Sequence, residues 1–323
     1  MQMRLRKSAW PNAYGRRAEQ LAIVTGIELT VEGGLAQVWS ERGEPDTGLV
    51  SESMSTNYWR RIIMKQVLDK HRFGPWALVT GASSGIGKEL SRQLAANGLN
   101  VVIAARRIDL LKELGDGIER EFSVQSRAVQ VDLSEDDSID KIKDVIRDLD
   151  IGLIVSNAGA VKAGEFMTMP LKDLHDQISI NVVAHMELVR YFAPRLVKRG
   201  RGGVMLVGAM GTSHGIPYLA NPSATKAYIS ALGEALHDEL EKHGVAVTVL
   251  TPGATDTAAV PEIMVDPGAM PMKPMSVAQV ASEGIAAIQA NKSVCVPGAL
   301  NRFMNRVVPA SITRKMMAKL LKK

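Results

Sequence analysis

The segment Val79-Thr80-Gly81-Ala82-Ser83-Ser84-Gly85-Ile86-Gly87 gathers the residue types that hold a phosphate. Glycine lets the backbone turn tightly and approach an anion closely. A helix that opens directly after such a loop turns its first N–H groups and its positive dipole end toward the same anion. A glycine-rich loop alone is a weak signal, but the spacing Thr-Gly-x-x-x-Gly-x-Gly between an apolar run and an amphipathic run is a strong one. Further on, the next apolar run ends Ala104-Ala105-Arg106-Arg107, two guanidinium groups with no carboxylate beside them. Such a pair suits a second phosphate. Of the proton-carrying side chains, His214 offers an imidazole, the side-chain type suited to proton transfer near neutrality, and Tyr218 carries a phenol four residues later. The plain alternatives are a surface-loop histidine and a packing tyrosine. His185 reads as a core-facing or interface histidine. No Ser-His-Asp arrangement and no metal-ligand cluster stands out, so no metal is expected.

These groups need a frame. Apolar runs at 76–80, 100–105, 127–131, 152–156, 203–208, 245–250 and 293–296 read as strands buried on both faces. Helical patterns lie between them, near 86–97, 108–122, 136–148, 171–199, 223–243 and 276–290, the last with Ser276 as N-cap. Strand–helix alternation of this kind gives an α/β fold with a doubly wound parallel sheet of about seven strands and helices on both faces.

Further motifs follow in order: Asp132 after the third strand, Asn157-Ala158-Gly159 after the fourth, and Pro252-Gly253-Ala254-Thr255-Asp256-Thr257 after the sixth. With the glycine loop, they make residues 76–297 resemble the short-chain dehydrogenase/reductase family. The resemblance implies a Rossmann sheet and a nicotinamide cofactor. It implies Thr80, Gly81, Ser83, Ser84, Gly85, Ile86 and Gly87 around the pyrophosphate, and Asp132 near the adenine. It places Asn157, Ala158 and Gly159 along the cofactor, and Pro252, Gly253, Thr255 and Thr257 toward the nicotinamide. A carboxylate at the end of the second strand would hold the ribose 2′-hydroxyl and repel a 2′-phosphate; Arg106 and Arg107 favour NADP(H). The resemblance also implies a homodimer or homotetramer, built through the helices at 171–199 and 223–243.

The resemblance breaks at the catalytic positions. Family members carry a serine, a tyrosine thirteen residues later and a lysine four beyond that, with an asparagine on the preceding long helix. Here Lys226 and Asn181 match the lysine and the asparagine, while Pro222 stands at the tyrosine and Ala209 at the serine. Neither residue has a side-chain proton to give. No shift of register rescues the pattern, because Tyr228 lies two residues past Lys226 on another helical face and Tyr218 lies in a loop. Pro222 suits the first helical position. The expectation is an NADP(H)-binding oxidoreductase on an apolar carbonyl or alcohol, with water, His214 or Tyr218 supplying the proton. The alternatives are a cofactor-binding sensor or scaffold without turnover, and a non-redox isomerase or cyclase.

The remaining segments set boundaries. Residues 1–70 show no sustained periodicity and read as a leader or appended element, with Leu21–Thr25 as a short strand candidate and Met54 and Met64 as alternative starts. Residues 71–299 form the cofactor domain. Within it, 258–275 carries Met264, Met270, Met272 and Met275, which suits a lid over an apolar ligand. Residues 300–323 form a basic amphipathic tail, suited to an anionic membrane or a partner, or simply to packing. The net charge is +5, but aromatic residues make up only 4%, too few for a base-stacking platform, so no nucleic acid is expected. One cysteine, Cys295, in an apolar setting, and no long apolar span suggest a reducing, cytoplasmic setting, open to membrane association through the tail.

Overall fold

The computed structural model describes residues 29–32, 35–38, 68–211, 214–257 and 273–321. The strand candidate at 21–25, Met54, Met64 and three of the four lid methionines (Met264, Met270 and Met272) lie outside the described residues. The chain divides into two units, Met1–Lys65 and Gln66–Lys323. In the first, β1 (Leu29–Glu32) and β2 (Leu35–Val38) pair antiparallel, Leu29 opposite Val38.

The second unit opens with a short helix α1 (Lys70–Phe73) and then alternates: β3 (Trp76–Thr80), α2 (Gly85–Ala96), β4 (Asn100–Ala105), α3 (Ile108–Phe122), β5 (Ser126–Gln130), α4 (Ser138–Val145) and β6 (Ile151–Ser156). It continues with α5 (Leu171–Ile178), a π-helical turn (Ser179–Val183), α6 (Ala184–Arg199), β7 (Gly202–Val207), α7 (Ala220–Glu241), β8 (Val245–Leu250), α8 (Val277–Gln289), β9 (Val294–Cys295), α9 (Ala299–Val307) and α10 (Ala310–Leu321). The strands form one parallel sheet in the order β5-β4-β3-β6-β7-β8-β9. This is the seven-stranded Rossmann sheet that the strand–helix alternation predicts.

Alternation along each strand sends side chains to two cores. Ala77, Val79, Val101, Ile103, Leu153 and Val155 face α2, α3 and α8, where Leu90, Leu94, Leu111 and Ile288 meet them. Leu78, Val102, Ala104, Ile154, Val204 and Leu206 face the other way, against Ile142, Leu188, Phe192 and Ile229 of α4, α6 and α7. Most of these side chains are fully buried, and each contributes about 1.5–3 kcal/mol relative to exposure. Both faces are thus covered, which is why the strands read as continuous apolar runs. The strand order reverses between β4 and β6, on either side of β3. A crevice opens there, beyond the carboxyl ends of the strands.

Two helices depart from the sequence expectation. The stretch 171–199 is not one regular helix: the π turn at 179–183 interrupts it, adding a residue to the coil at the point where Asn181 must face inward. Helix α7 starts at Ala220 with Leu219 as its N-cap, so Pro222 is the third helical residue rather than the first. It is tolerated because the first four N–H groups of a helix have no partner within it.

Candidate active site

A cavity of about 830 Å³ occupies the crevice. Its floor is the loop after β3. Gly81 has φ +67°, and a Cβ there would stand 2.8 Å from the Cα of Ala158 and 2.9 Å from the Nδ2 of Asn157. At Gly87 a Cβ would collide with the carbonyl of Gly81 and the side chain of Asn157. The glycines therefore let the loop, the Asn157 turn and the start of α2 pack within one backbone thickness of each other. Ser84 caps α2 without using its side chain, and the first turn contains no acidic residue. The positive helix end thus faces the cavity uncompensated, beside Ser83, Ser84, Gly85, Ile86 and Gly87.

Arg106 and Arg107 line the same cavity. Arg107 donates through Nη2 to the hydroxyls of Ser83 at 3.0 Å and Ser84 at 3.1 Å. Arg106 stands 3.9 Å from the carboxylate of Asp132. Burial works against the charge on Asp132, but hydrogen bonds from Ser134 and the guanidinium of Arg106 outweigh it and hold its carboxyl below the usual range. Asn157, Ala158 and Gly159 form the opposite wall. The Oγ1 of Thr80 accepts from the N–H groups of Asn157 at 3.0 Å and Ala158 at 3.1 Å, so Thr80 shapes that wall from behind.

Behind Gly159 lie Asn181 and Lys226, the two residues expected from the sequence to match the family's catalytic pattern. A Cβ on Gly159 would be 3.4 Å from the Nζ of Lys226 and 3.5 Å from the Oδ1 of Asn181. Asn181 is fully buried. It accepts from the N–H of Ala160 and donates to the carbonyl of Ala160, both at 2.8 Å, and donates to the Oγ1 of Thr225 at 3.1 Å. Lys226 donates to the carbonyl of Val207 at 2.7 Å, and burial pushes its ammonium down to about 8. His185 lies below them. Its Nε2 stands 2.9 Å from the carbonyl of Ala158, an acceptor only, so that nitrogen carries the proton. Its Nδ1 then accepts from Ser156 at 2.9 Å. Burial first, and the charge of Lys226 second, push His185 down to about 3, against the pull of the Ala158 carbonyl. It is neutral at physiological pH.

Ala209 is half-buried just past β7, and Pro222 is buried in the first turn of α7. The two candidate substitutes stand elsewhere. His214 is exposed. Tyr218 sits in a turn at φ +65° and accepts through its backbone carbonyl from Gly164. Neither is among the described residues that line the cavity, and nor are Thr80, Asn181, Lys226, Gly253 and Thr255, while Pro252 and Thr257 are. Thr255 instead donates to the carbonyl of Gly253 at 2.9 Å. Sequence reasoning missed Lys162, Lys172, Asp173, Asp176 and Gln177 on the rim. Lys162 pairs with Asp173 at 2.7 Å and Lys172 with Asp176 at 2.6 Å. Lys172 and Asp176, four apart on a helix, look like an ordinary solvated face, Lys162 is a loop lysine, and only the sheet's crevice makes them a rim. Among the described residues, no group of three or more His, Cys, Asp and Glu could hold a metal ion, and no helix is long and apolar enough to cross a membrane.

The family model described as short chain dehydrogenase matches residues 75–267. The chain belongs to the short-chain dehydrogenase family. Among relatives, the very-long-chain 3-oxoacyl-CoA reductase of Rattus norvegicus is 34% identical over 185 residues, covering 56% of this chain and 59% of that protein. That of Coccidioides immitis is 34% identical over 186 residues, covering 55% and 53%. The aligned region is thus little more than half the length of the curated relatives it matches. A short-chain dehydrogenase from Sphingobium yanoikuyae, solved in complex with NADPH, superposes with TM-score 0.67 at 26% identity, covering 76% of this chain and 96% of that one. A 7beta-hydroxysteroid dehydrogenase shares the fold, with TM-score 0.71 at 23% identity over 77% of this chain and 98% of that one.

Proposed function

We propose that this short-chain dehydrogenase family member binds NADP(H) and reduces or oxidises an apolar carbonyl or alcohol with Lys226 in place of the usual tyrosine as proton source. The observation that carries this reading is the convergence, on one crevice, of the glycine loop, Arg106 and Arg107, and the Asn181–Lys226 pair behind Gly159. The cavity's chemistry fits the cofactor. A bare helix N-terminus matches a pyrophosphate, and the guanidinium of Arg107, beside two serine hydroxyls, matches a 2′-phosphate. When bound, the cofactor would supply the hydride exchanged with the substrate carbon. The relatives named very-long-chain 3-oxoacyl-CoA reductase support a carbonyl attached to an apolar chain.

The rest falls to this chain's residues. A carbonyl oxygen gaining charge needs a proton within hydrogen-bond reach. Ala209 and Pro222 hold none. His214, Tyr218 and Lys226 all lie off the cavity lining, but Lys226 stands directly behind the lining residue Gly159, its Nζ 3.4 Å from where a Cβ of Gly159 would be. The Nζ of Lys226 holds one, and its burial lowers the cost of giving it up, directly or through water. Asn181 keeps the Ala160 backbone, and with it the wall that covers Lys226, in place. Proton delivery by a group not built for it leaves turnover slow, roughly 10²- to 10⁴-fold below what the tyrosine arrangement would give. A homodimer through α5, α6 and α7 accompanies this reading, with Ile178, Met186 and Tyr228 as its exposed apolar side chains.

The first experiment titrates the protein with NADPH and NADH by nicotinamide fluorescence, then follows NADPH consumption across a panel of apolar ketones and aldehydes. Preferred NADPH binding with slow consumption supports the proposal. NADPH binding with no consumption favours a second reading, a cofactor-binding sensor or scaffold, for which the joint loss of both proton-bearing side chains at 209 and 222 speaks.

A further inference from the structure

The last 25 residues, 299–323, contain seven Lys or Arg and no Asp or Glu. The whole chain has 39 basic and 34 acidic residues, net +5. Residues 1–298 therefore hold 32 basic against 34 acidic, a net charge of −2, and the chain's positive balance resides entirely at its C-terminal end.

The fold shows how these cations are presented. Helix α9 is fixed to the domain on one side. Asn301 is buried and donates to the carbonyl of Pro297 at 2.9 Å, and Arg302 pairs with Glu283 at 2.8 Å. The side away from these anchors carries Leu300, Phe303 and Val307, spaced i, i+3, i+7. They are 57%, 60% and 56% exposed. Past Pro309, α10 adds Ile312, 55% exposed, while Leu321 at its end is buried. The inward faces of both helices are therefore already used, and the apolar stripe is surplus to the core. Around it stand Arg306, Arg314, Lys315 and Lys319, all exposed and without an ion pair among the described residues.

An apolar stripe bordered by cations without carboxylates matches a bilayer interface bearing anionic lipid. The apolar side chains enter the headgroup boundary, and the cations meet the phosphates and carboxylates above it. A nucleic acid would match the cations but leave Leu300, Phe303, Val307 and Ile312 in water. A second copy of this chain would bring like charge against like charge. We propose that α9 and α10 form a docking surface that holds this protein on the face of an anionic membrane. The proposal does not depend on the reaction assigned to the cavity.

The test uses the full chain and vesicles of phosphatidylcholine with and without phosphatidylserine, at low and high salt, scored by cosedimentation. Partition at least about tenfold higher onto the anionic vesicles, and suppressed by salt, is expected. Arg314→Glu with Lys315→Glu should lower it roughly tenfold or more, and so should Phe303→Ser with Val307→Ser, with melting temperature and NADPH binding unchanged. Equal partition onto neutral vesicles, no partition, or insensitivity to these substitutions would overturn the proposal. A concentration-dependent dimer dispersed by Phe303→Ser, without vesicle binding, would overturn it in favour of a second copy. Retention on duplex DNA but not on vesicles would overturn it in favour of a nucleic acid.

Discussion

On the proposed reading, Pro222 and Ala209 limit the rate at which this cavity can protonate an oxygen, because the family resemblance sets the two proton-handling side chains at their positions. The double substitution Ala209→Ser with Pro222→Tyr is expected to raise NADPH consumption on responsive ketones by about 10²- to 10⁴-fold with cofactor affinity unchanged. Arg107→Ala removes the guanidinium that bridges Ser83 and Ser84. It is expected to weaken NADPH binding roughly 10- to 100-fold and to leave NADH nearly unaffected, as read by fluorescence titration. That Arg107 would lie at the cavity was legible in the sequence, because it follows from local spacing. The proposed proton source was less so: His214, Tyr218 and Lys226 all lie off the cavity lining, and Lys226 comes near Gly159 only through the packing of α7 against the sheet. His185 gives a test by pH. It titrates at about 3 when folded, against 6.5 for a free imidazole. Between those values the unfolded chain binds the extra proton, so stability falls as pH drops through that window, by at most about 1.4 kcal/mol per pH unit. Urea midpoints measured across the window should show this slope, and His185→Gln should flatten it.

At the scale of elements, the strands and most helices followed from apolar periodicity because both sheet faces are covered. The π turn at 179–183 left no trace in composition; within it Asn181 meets the backbone of Ala160, far from it in the chain. Such turns recur at functional sites. Asn181→Ala leaves the N–H and carbonyl of the half-buried Ala160 without their side-chain partner. It is expected to cost roughly 2–4 kcal/mol of stability by chemical denaturation, and to loosen the Asn157–Ala160 wall enough to weaken cofactor binding as well. The tail was legible as amphipathic and basic. That its two helices are anchored through Asn301 and Glu283 required the fold, because those contacts join segments far apart in the chain.

In the unit Gln66–Lys323, the reversal of strand order around β3 gathers the loops after β3 to β8 at one crevice, so a single topological fact explains why motifs scattered from Gly81 to Thr257 share a cavity. The unit Gln66–Lys323 holds both cores and the whole cavity lining. We expect a chain beginning at Met64 to bind NADPH like the full chain and to melt within a few degrees of it, as followed by circular dichroism. The anchoring of α9 just past Gly298 has a consequence for handling the protein. The intact chain has a pI of about 9.2, while a product cut at that hinge would keep the −2 balance of residues 1–298. One proteolytic nick would thus reverse the direction of migration at neutral pH, and a preparation that spreads between cation- and anion-exchange columns would be reporting the state of its last two helices.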